Sequence, residues 1–389
     1  MASTHTLTKS IPLVMASRQE ALSDPNLERL ERSEVWTRPA ADFVVDLSGR
    51  NLEQHLTIPQ PNRWHESFRN RFSDVLVFGH HHFHGILSSD GRIACQEIDD
   101  VRRRVDIHIQ HHPGRKLSIP QIYRTKNKYR VSLSKMQCDE LEGVSYFGTP
   151  IEPLNWGMWL LQAIPSAVDF LSDDRADRFL AYVGREWQRE LLNALGISNE
   201  RLVHHDLDRT YHCNDLYLKQ FSYVDLVPTP MEKEIFARVA QNVARGRKTN
   251  RKHRLFLSRR SVTRESGGTY RALLNEDALV AAFSDRGYSI VEPELLSFED
   301  QIRAFSEAEL IVGLGGAAFF NTVFSPPGTR VVSIESSTNF AHDHACLFGA
   351  LGHHFAFIFG RQDLEDETPV QKRWTIDVDG VIHAIKAYE

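Results

Sequence analysis

The chain has 389 residues, of which 41% are hydrophobic and 25% charged, and its formal net charge is −5 at pH 7. This length exceeds what one small core needs and predicts two domains. The charge balance argues against general nucleic-acid binding, which requires a basic face. Four widely spaced cysteines without a C-x-x-C pair argue against a disulfide framework or a zinc ribbon, and they predict reduced thiols in a cytosolic protein.

The sequence shows no targeting or membrane segment. Its first 20 residues hold no sustained apolar core and no small-residue cleavage site, so no signal peptide is predicted. The most apolar stretch, residues 310–324, is shorter than the roughly 20 residues that a membrane-spanning helix needs. We therefore expect a cytoplasmic protein without a transmembrane segment, which can dock peripherally on the inner face of the membrane.

The first half of the chain begins irregularly and then alternates between strands and helices. Short strands are predicted at 74–78, 85–87 and 93–95, the last two joined by an Asp-Gly turn. From about residue 146 the pattern predicts helices at 155–171, 186–195 and 231–245, and strands at 179–183, 201–205 and 216–224.

The second half alternates regularly between apolar strands and helices. The predicted strands are 254–258, 288–291, 310–312, 331–334 and 354–359, and the predicted helices are 275–283, 297–306, 317–324 and 339–351. Asn275 is the expected N-cap of the first of these helices, and Ser297 opens the second with a Ser-x-x-Asp capping signal. Such alternation predicts a parallel sheet covered by helices, a Rossmann-like domain.

These elements predict three segments along the chain. An N-terminal domain with an irregular, β-rich start covers residues 1–230, and a C-terminal Rossmann-like domain covers residues 231–361. The tail, residues 362–389, is expected to end in a β-hairpin turning at Asp379-Gly380 and to pack back on the first domain.

A glycine-rich turn joins the strand 310–312 to the short helix that starts at Ala317. Gly313, Gly315 and Gly316 let the backbone turn tightly there. The first N–H groups of a helix have no partner within it, and the helix dipole favours an anion at this end. The turn therefore predicts a phosphate-binding site.

Three interpretations of this turn remain open. The pattern Gly313-x-Gly315-x-x-Ala318, with Glu335 lying 22 residues after Gly313, fits the NAD-binding fingerprint. Against it, the helix is only about eight residues long, and the turn opens the third unit of its sheet rather than the first. The second interpretation is a nucleotide-sugar site, and the third is a tight turn that merely allows close helix packing.

An arginine cluster follows the first strand of the same sheet. Arg259 and Arg260 stand at the carboxyl end of that strand, and Arg264 and Arg271 follow. Open α/β sheets bind ligands at this edge, and guanidinium groups match phosphate oxygens through paired donors. The cluster favours a diphosphate ligand, with an exposed basic loop as the alternative.

At this point the chain resembles glycosyltransferase family 61. The resemblance covers residues 255–359 and rests on the order and spacing of several short runs. These runs are Ser258-Arg259-Arg260 with Arg271-x-x-x-Asn275-Glu276, Glu294-x-x-Ser297-Phe298-x-x-Gln301, the glycine turn through Asn321, and Pro327-Gly328-Thr329. A weaker match is Asn155-Trp156-x-x-Trp159-Leu160-Leu161-Gln162 in the first half.

The resemblance implies an α/β, GT-B-like fold, with two Rossmann-like domains facing across a cleft. It also implies transfer of a sugar from a nucleotide-sugar to a glycan or lipid-linked acceptor, with inversion, without a bound metal and without a cofactor. Bacterial enzymes of capsular or exopolysaccharide biosynthesis are the nearest in style.

The chain departs from the family pattern at three positions. Met158 replaces a His of the family, Gln162 replaces an acid, and Gly315 replaces the His of a His-Gly-Ala-Gly turn. The general base therefore does not carry over from the family. A glycosyltransferase, an NAD(P)-dependent oxidoreductase and a non-catalytic binding relative all stay open as functions.

These arguments give the predicted site residues. Glu152 is the candidate base, Glu335 is expected to hold ribose hydroxyls, and a sugar ring is expected to stack on Trp156 and Trp159 unless they pack in the core. The predicted donor-binding residues are Arg259, Arg260, Arg264, Asn275, Gly315, Gly316, Ala317, Asn321 and Glu335, and the predicted acceptor-binding residues are Asn155, Trp156 and Trp159.

No metal site is predicted. The histidines of residues 80–84 suggest a metal cluster, but a solvent-facing turn is the simpler interpretation. Asp206-x-Asp208 lacks the surroundings of a metal-dependent transferase motif, and His344 is expected to support helix packing or to touch the donor.

Overall fold

The computed structural model divides the chain into two compact units. Unit 1 comprises Met1–Ser33 and His65–Ser222, and unit 2 comprises Glu34–Trp64 and Tyr223–Glu389. The structure describes residues 4–6, 10–13, 26–32, 34–49, 55–64, 67–78, 85–88, 121–125, 128–133, 136–150, 152–220, 227–244, 253–265, 271–337, 340–363, 365–366 and 372–389.

Unit 2 is built on a six-stranded parallel sheet. Its strands in spatial order are Ser289–Val291, His253–Leu257, Ala308–Leu314, Arg330–Glu335, His354–Phe359 and Phe43–Asp46. The central strands are almost continuously apolar because helices cover both faces of such a sheet. Five strands of this parallel order were predicted from the sequence, and the structure confirms them.

Helices flank the sheet of unit 2, and five of them lie close to predicted positions. The α-helices are Pro230–Ala244, Arg260–Glu265, Glu276–Asp285, Phe298–Ser306, Ala341–Ala350 and Val378–Ile385, and the 3₁₀ helices are Pro293–Leu295 and Ala317–Phe324. The capping signal at Ser297 is confirmed, since its hydroxyl accepts a hydrogen bond from the Asp300 N–H at 3.1 Å. Two short antiparallel pairs complete the unit: Glu34–Arg38 with Gln60–Trp64, and Arg361–Gln362 with Trp374–Thr375.

The C-terminal tail differs from its prediction. The expected hairpin at Asp379-Gly380 is wrong, because Val378–Ile385 is a helix that contains Gly380. Val381 and Ile385, one helical turn apart, are fully buried in the core of unit 2, together with Trp374. The tail therefore completes unit 2.

The strand Phe43–Asp46 also belongs to unit 2, although it lies within the predicted first domain. It pairs in parallel with His354–Phe359 at the edge of the sheet. The ring of Phe43 packs edge-on against Tyr388 with centroids 5.1 Å apart. A short apolar run in the sequence does not show which sheet it joins. A single boundary at residue 230 therefore placed this strand in the wrong unit.

Unit 1 is a mixed α/β unit. Its main sheet has the order Leu202–His204, Arg178–Ala181, Gln137–Phe147, Thr210–Gln220, Ser67–Phe78 and Leu27–Glu31, with Thr4–Thr6 on Gln137–Phe147 and Gly85–Ser88 on Ser67–Phe78. The first four strands are parallel, and the pairs beyond them are antiparallel. A second sheet has the order Ser10–Leu13, Lys128–Ser132 and Gln121–Thr125.

The long helical segment of unit 1 contains one wide turn. It runs through Trp156–Met158 as α-helix, Trp159–Ala163 as π-helix and Ile164–Ser172 as α-helix, and Glu186–Leu195 is a separate helix. Pro165 explains the wide turn, because its ring has no N–H and would clash with a carbonyl in a regular helix. The predicted helix 155–171 is thus confirmed with an irregular centre.

Several predicted features cannot be compared with the structure. Cys95, the histidine cluster at 80–84 and the basic runs at 102–104 and 245–252 lie outside the described residues. Among the residues that are described, no helix is long and apolar enough to cross a membrane. No group of His, Cys, Asp and Glu in this part of the chain is arranged to hold a metal ion.

A buried histidine makes unit 2 sensitive to acid. Burial lowers the pKa of His353 to about 4, and its Nε2 lies 3.1 Å from the carbonyl oxygen of Thr322 at the end of a 3₁₀ helix. The unfolded chain protonates this ring near pH 6.5, so the stability it contributes is complete above that pH and is lost as the pH falls toward 4. The loss amounts to about 3 kcal/mol.

We therefore expect His353→Gln to flatten the fall in the free energy of unfolding between pH 6.5 and 4. Urea unfolding at several pH values measures this dependence. His354→Gln is the matched control, since the neighbouring side chain is 62% exposed. Equal pH dependence in the wild type and in His353→Gln would contradict the assignment.

Candidate functional site

The order in which the chain adds strands to the sheet of unit 2 reverses at the strand His253–Leu257. From His253–Leu257 the chain first builds Ser289–Val291 on one side, and then Ala308–Leu314 on the other. Leu257 and Gly313 are register partners at the carboxyl ends of the two central strands. In open α/β sheets this switch point leaves a crevice that binds ligands. The loops that begin here carry the arginine cluster and the glycine turn, residues 313–317.

The glycine turn has no space for a Cβ atom at any of its three glycines, and at Gly313 the obstacle is Leu257. A Cβ atom on Gly315 would overlap the carboxylate of Glu335, and a Cβ atom on Gly316 would overlap Nη1 of Arg259. The Gly315 N–H donates to the Ile334 carbonyl at 2.9 Å, so it is already used within unit 2. Gly316 and Ala317 are left to start the 3₁₀ helix, and Ala317 is exposed to solvent.

Arg259 is the cluster member that reaches the turn. Its Nη1 donates to the Gly315 carbonyl at 2.7 Å. Its backbone N–H donates to Oε1 of Glu276 at 2.7 Å, and the Ser258 hydroxyl donates to the same oxygen at 2.7 Å. Glu276 is buried, which raises the pKa of its carboxyl, while the bond from the Arg259 N–H lowers that pKa. Glu276 thus fixes the backbone that aims Arg259 at the turn.

Arg271 places a second guanidinium group beside the turn. A Cβ atom on Gly316 would lie 3.6 Å from Nη2 of Arg271. The guanidinium lies over the ring of Phe340, 4.6 Å from the centroid. Its backbone has a φ of 49°, and its carbonyl accepts a hydrogen bond from Nε1 of Trp374 at 2.9 Å. A left-handed non-glycine residue held this firmly is typical of a ligand-binding segment.

Arg260 and Arg264 point to a different partner. Their Nη2 atoms lie 3.2 Å and 3.4 Å from the carboxylate of Glu292, and Arg264 is 73% exposed. Glu292 also accepts the N–H of Ser261 at 2.9 Å. This carboxylate offsets the positive charge of both arginines, so the geometry favours Arg259 over them at the turn. A donor role for Arg260 and Arg264 stays a prediction.

Glu335 lies beneath the glycine turn at the end of its strand. One carboxylate oxygen, Oε1, accepts the Ser333 hydroxyl at 2.7 Å and lies 2.8 Å from Nδ1 of His344. The other, Oε2, is the first atom that a Cβ atom on Gly315 would meet. His344 packs against the rings of Phe319 and Phe348, which also contact each other, and this cluster holds the pair of Glu335 and His344 in place. The ribose contact predicted for Glu335 remains a prediction.

The two predicted asparagines hold local structure. The Asn275 amide donates to the Ile376 carbonyl at 2.8 Å and accepts the Ile376 N–H at 3.2 Å, so its side chain ties down the tail instead of capping its helix. Asn321 is fully buried and donates to Gln301 at 3.1 Å and to the Ala318 carbonyl at 3.2 Å. These bonds fix the 3₁₀ helix that follows the turn.

The residues predicted to bind the acceptor lie in unit 1. Asn155 accepts the Gly157 N–H at 2.9 Å, which caps the helix, and its amide donates to Glu152 at 2.9 Å. Trp156 is half-buried. Trp159 is fully buried and donates from Nε1 to the Pro153 carbonyl at 2.7 Å, which favours core packing over stacking on a sugar. The base role of Glu152 remains a prediction.

The comparison with protein families gives a match that covers more than half of the chain. A family model described as Glycosyltransferase 61 matches residues 98–332, a segment that includes the arginine cluster and the glycine turn. The search of curated proteins found no match.

The steric argument at the glycine turn predicts the behaviour of a double variant. Gly315→Ala places a methyl group against the Glu335 carboxylate, so we expect a loss of about 1–3 kcal/mol in the free energy of unfolding. Adding Glu335→Ala removes the clash, and part of that loss should return. Thermal or urea unfolding of the single and double variants measures the coupling.

Glu335→Gln is the matched control for this cycle, because the amide has nearly the size of the carboxylate. It should not relieve Gly315→Ala. Strictly additive effects of Gly315→Ala and Glu335→Ala would show that the two positions do not compete for space.

Proposed function

The chain belongs to glycosyltransferase family 61, and from this premise we propose that it moves a sugar from a nucleotide-sugar donor to a glycan or lipid-linked acceptor. Inversion, independence of a bound metal and the GT-B-like fold implied by the resemblance are part of this proposal, as is a role in polysaccharide biosynthesis. The acceptor hydroxyl attacks the anomeric carbon and gives its proton to a general base, the bond from that carbon to the phosphate oxygen breaks, and a nucleoside diphosphate leaves.

The observation that carries the proposal is the convergence of Arg259 and Arg271 on the glycine turn. Both guanidinium groups lie beside the α-carbon of Gly316, at the switch point of a parallel sheet. An anion bound beside the turn is attracted by both guanidinium groups. A leaving diphosphate develops negative charge as the bond breaks, so preorganised arginines stabilise the transition state more than the ground state.

Glu335 suits the hydroxyl groups of the donor rather than its phosphates. A carboxylate accepts hydrogen bonds from hydroxyls and repels phosphate oxygens. Ser333 and His344 occupy Oε1 and leave Oε2 turned toward Gly315. We therefore assign Oε2 of Glu335 to a ribose or sugar hydroxyl close to the turn.

The first test compares arginines that differ in their partners. Arg259→Ala and Arg271→Gln should each weaken the binding of a nucleoside diphosphate by about 10- to 150-fold, the effect of losing a charge-assisted hydrogen bond. Arg264→Ala should weaken binding much less than Arg259→Ala, because that side chain is exposed and Glu292 offsets its charge. Calorimetric titration with UDP, GDP, CDP and dTDP, with and without Mg²⁺, gives the affinities.

Two results would contradict this assignment. One is an equal loss of affinity in Arg264→Ala and Arg259→Ala, which would indicate a diffuse charge effect. The other is binding of NAD or NADP, tested in the same titrations, in place of every nucleoside diphosphate.

Catalysis is tested separately from binding. With the donor that corresponds to the nucleotide bound most tightly, the wild type should release nucleoside diphosphate faster when glycan acceptors are added. A chain that binds the nucleotide but never releases it from a nucleotide-sugar would be a non-catalytic relative.

A further inference from the structure

A pair of tryptophans lies at a sheet edge of unit 1 that corresponds to the candidate site of unit 2. Gln137–Phe147 and Arg178–Ala181 are parallel neighbours, so their carboxyl ends meet at one edge. The chain leaves each strand through a loop and enters a helix whose first turn carries a tryptophan, Trp156 in one and Trp187 in the other. The two rings lie 5.0 Å apart at an angle of 66°.

Buried side chains contact Trp187 and fix the loop that precedes Trp156. Trp159 is fully buried, and its ring lies 5.5 Å from that of Trp187. Nε1 of Trp159 and Nε2 of Gln188 both donate to the Pro153 carbonyl at 2.7 Å, which fixes the loop between the strand and the helix. Trp156 and Trp187 are only half-buried, so aromatic surface faces solvent on a rigid base.

Glu152, four residues before Trp156, has a strained backbone. Glu152 is exposed and has a φ of 54°, a left-handed conformation that costs a residue with a Cβ atom about 1 kcal/mol or more. The Asn155 amide donates to its Oε2 at 2.9 Å, one residue before Trp156. The segment that leads into the Trp156 helix therefore keeps an unfavourable backbone and carries an exposed hydrogen-bond acceptor.

This combination matches the chemistry of a sugar ring. A pyranose has a face of C–H groups that packs on an aromatic ring, and an edge of hydroxyl groups that donates to a carboxylate. A bilayer would provide no partner for the Glu152 charge, which is costly to move into apolar surroundings.

We propose that Trp156, Trp187 and Glu152 form a subsite for a sugar residue of the acceptor. The proposal rests on the proposed function for its biological meaning, since a glycan acceptor requires a glycosyltransferase. Trp187 lies outside the sequence motifs described above. Its partner Trp159, predicted to stack on a sugar, instead supports Trp187 from within the core.

Ligand-detected NMR tests the subsite with simple sugars. The probes are methyl glycosides of neutral hexoses, pentoses, N-acetylhexosamines and uronic acids, added to the full chain. At least one should bind with saturation transfer to the C–H protons of one ring face. Trp187→Leu should weaken that binding at least 10-fold while the binding of nucleoside diphosphate stays unchanged.

A second variant separates function from folding. Glycine adopts the left-handed conformation freely, so Glu152→Gly should keep or raise the melting temperature while it weakens sugar binding. Failure of every glycoside to bind the wild type, or equal binding by the wild type and both variants, would overturn the subsite. Binding to phosphatidylcholine vesicles that is lost in Trp187→Leu, without glycoside binding, would overturn it in favour of a membrane contact.

The outcomes distinguish this subsite from the proposed function. Nucleoside diphosphate binding without any glycoside binding would remove the subsite and leave the donor site intact. Glycoside binding that depends on Trp187, in a chain that binds no nucleotide, would keep the subsite and remove the transferase.

Discussion

The close approach of two charged side chains to the backbone of the glycine turn is the constraint on which the site depends. Glu335 fills the space beside Gly315, and Arg259 fills the space beside Gly316. Neither approach is possible if these positions carry a Cβ atom. The strands below keep this spacing, since Leu257 and Gly313 are direct register partners and Gly315 is bonded to Ile334. The register of the two central strands therefore sets the position of the turn, and the turn sets where the charged groups of Arg259 and Glu335 can lie.

Acidic side chains decide what each arginine can do. Glu276 accepts the backbone N–H of Arg259 and so orients the residue while leaving its guanidinium on the turn. Glu292 instead contacts the guanidinium groups of Arg260 and Arg264 and offsets their charge. Burying Glu276 costs free energy that two short hydrogen bonds only partly offset, as the raised pKa of its carboxyl indicates. A buried carboxylate kept at this cost is understandable if the position of Arg259 matters for binding.

Local patterns predicted the parallel sheet of unit 2 and the place of its glycine turn, because apolar strands, caps and glycines act over a few residues. Local patterns did not predict contacts between segments that are distant in the sequence. The tail helix at Gly380 shows this, since its apolar residues bind a core that only the folded unit provides. The position of Arg271 beside the turn depends on Phe340 and Trp374, which lie far along the chain. Trp159 is fully buried, so it packs in the core, and the sequence alone did not show this. Trp187, the half-buried tryptophan that contacts Trp159, lies in no recognised sequence motif.

The most direct test of the central claim is a crystal structure of the chain with the nucleoside diphosphate that it binds most tightly. The account predicts a phosphate oxygen within about 2.7–3.2 Å of the Arg259 guanidinium, and another near Arg271 and the first N–H groups of the 3₁₀ helix Ala317–Phe324. Density for the diphosphate anywhere else, with the glycine turn unoccupied, would contradict it.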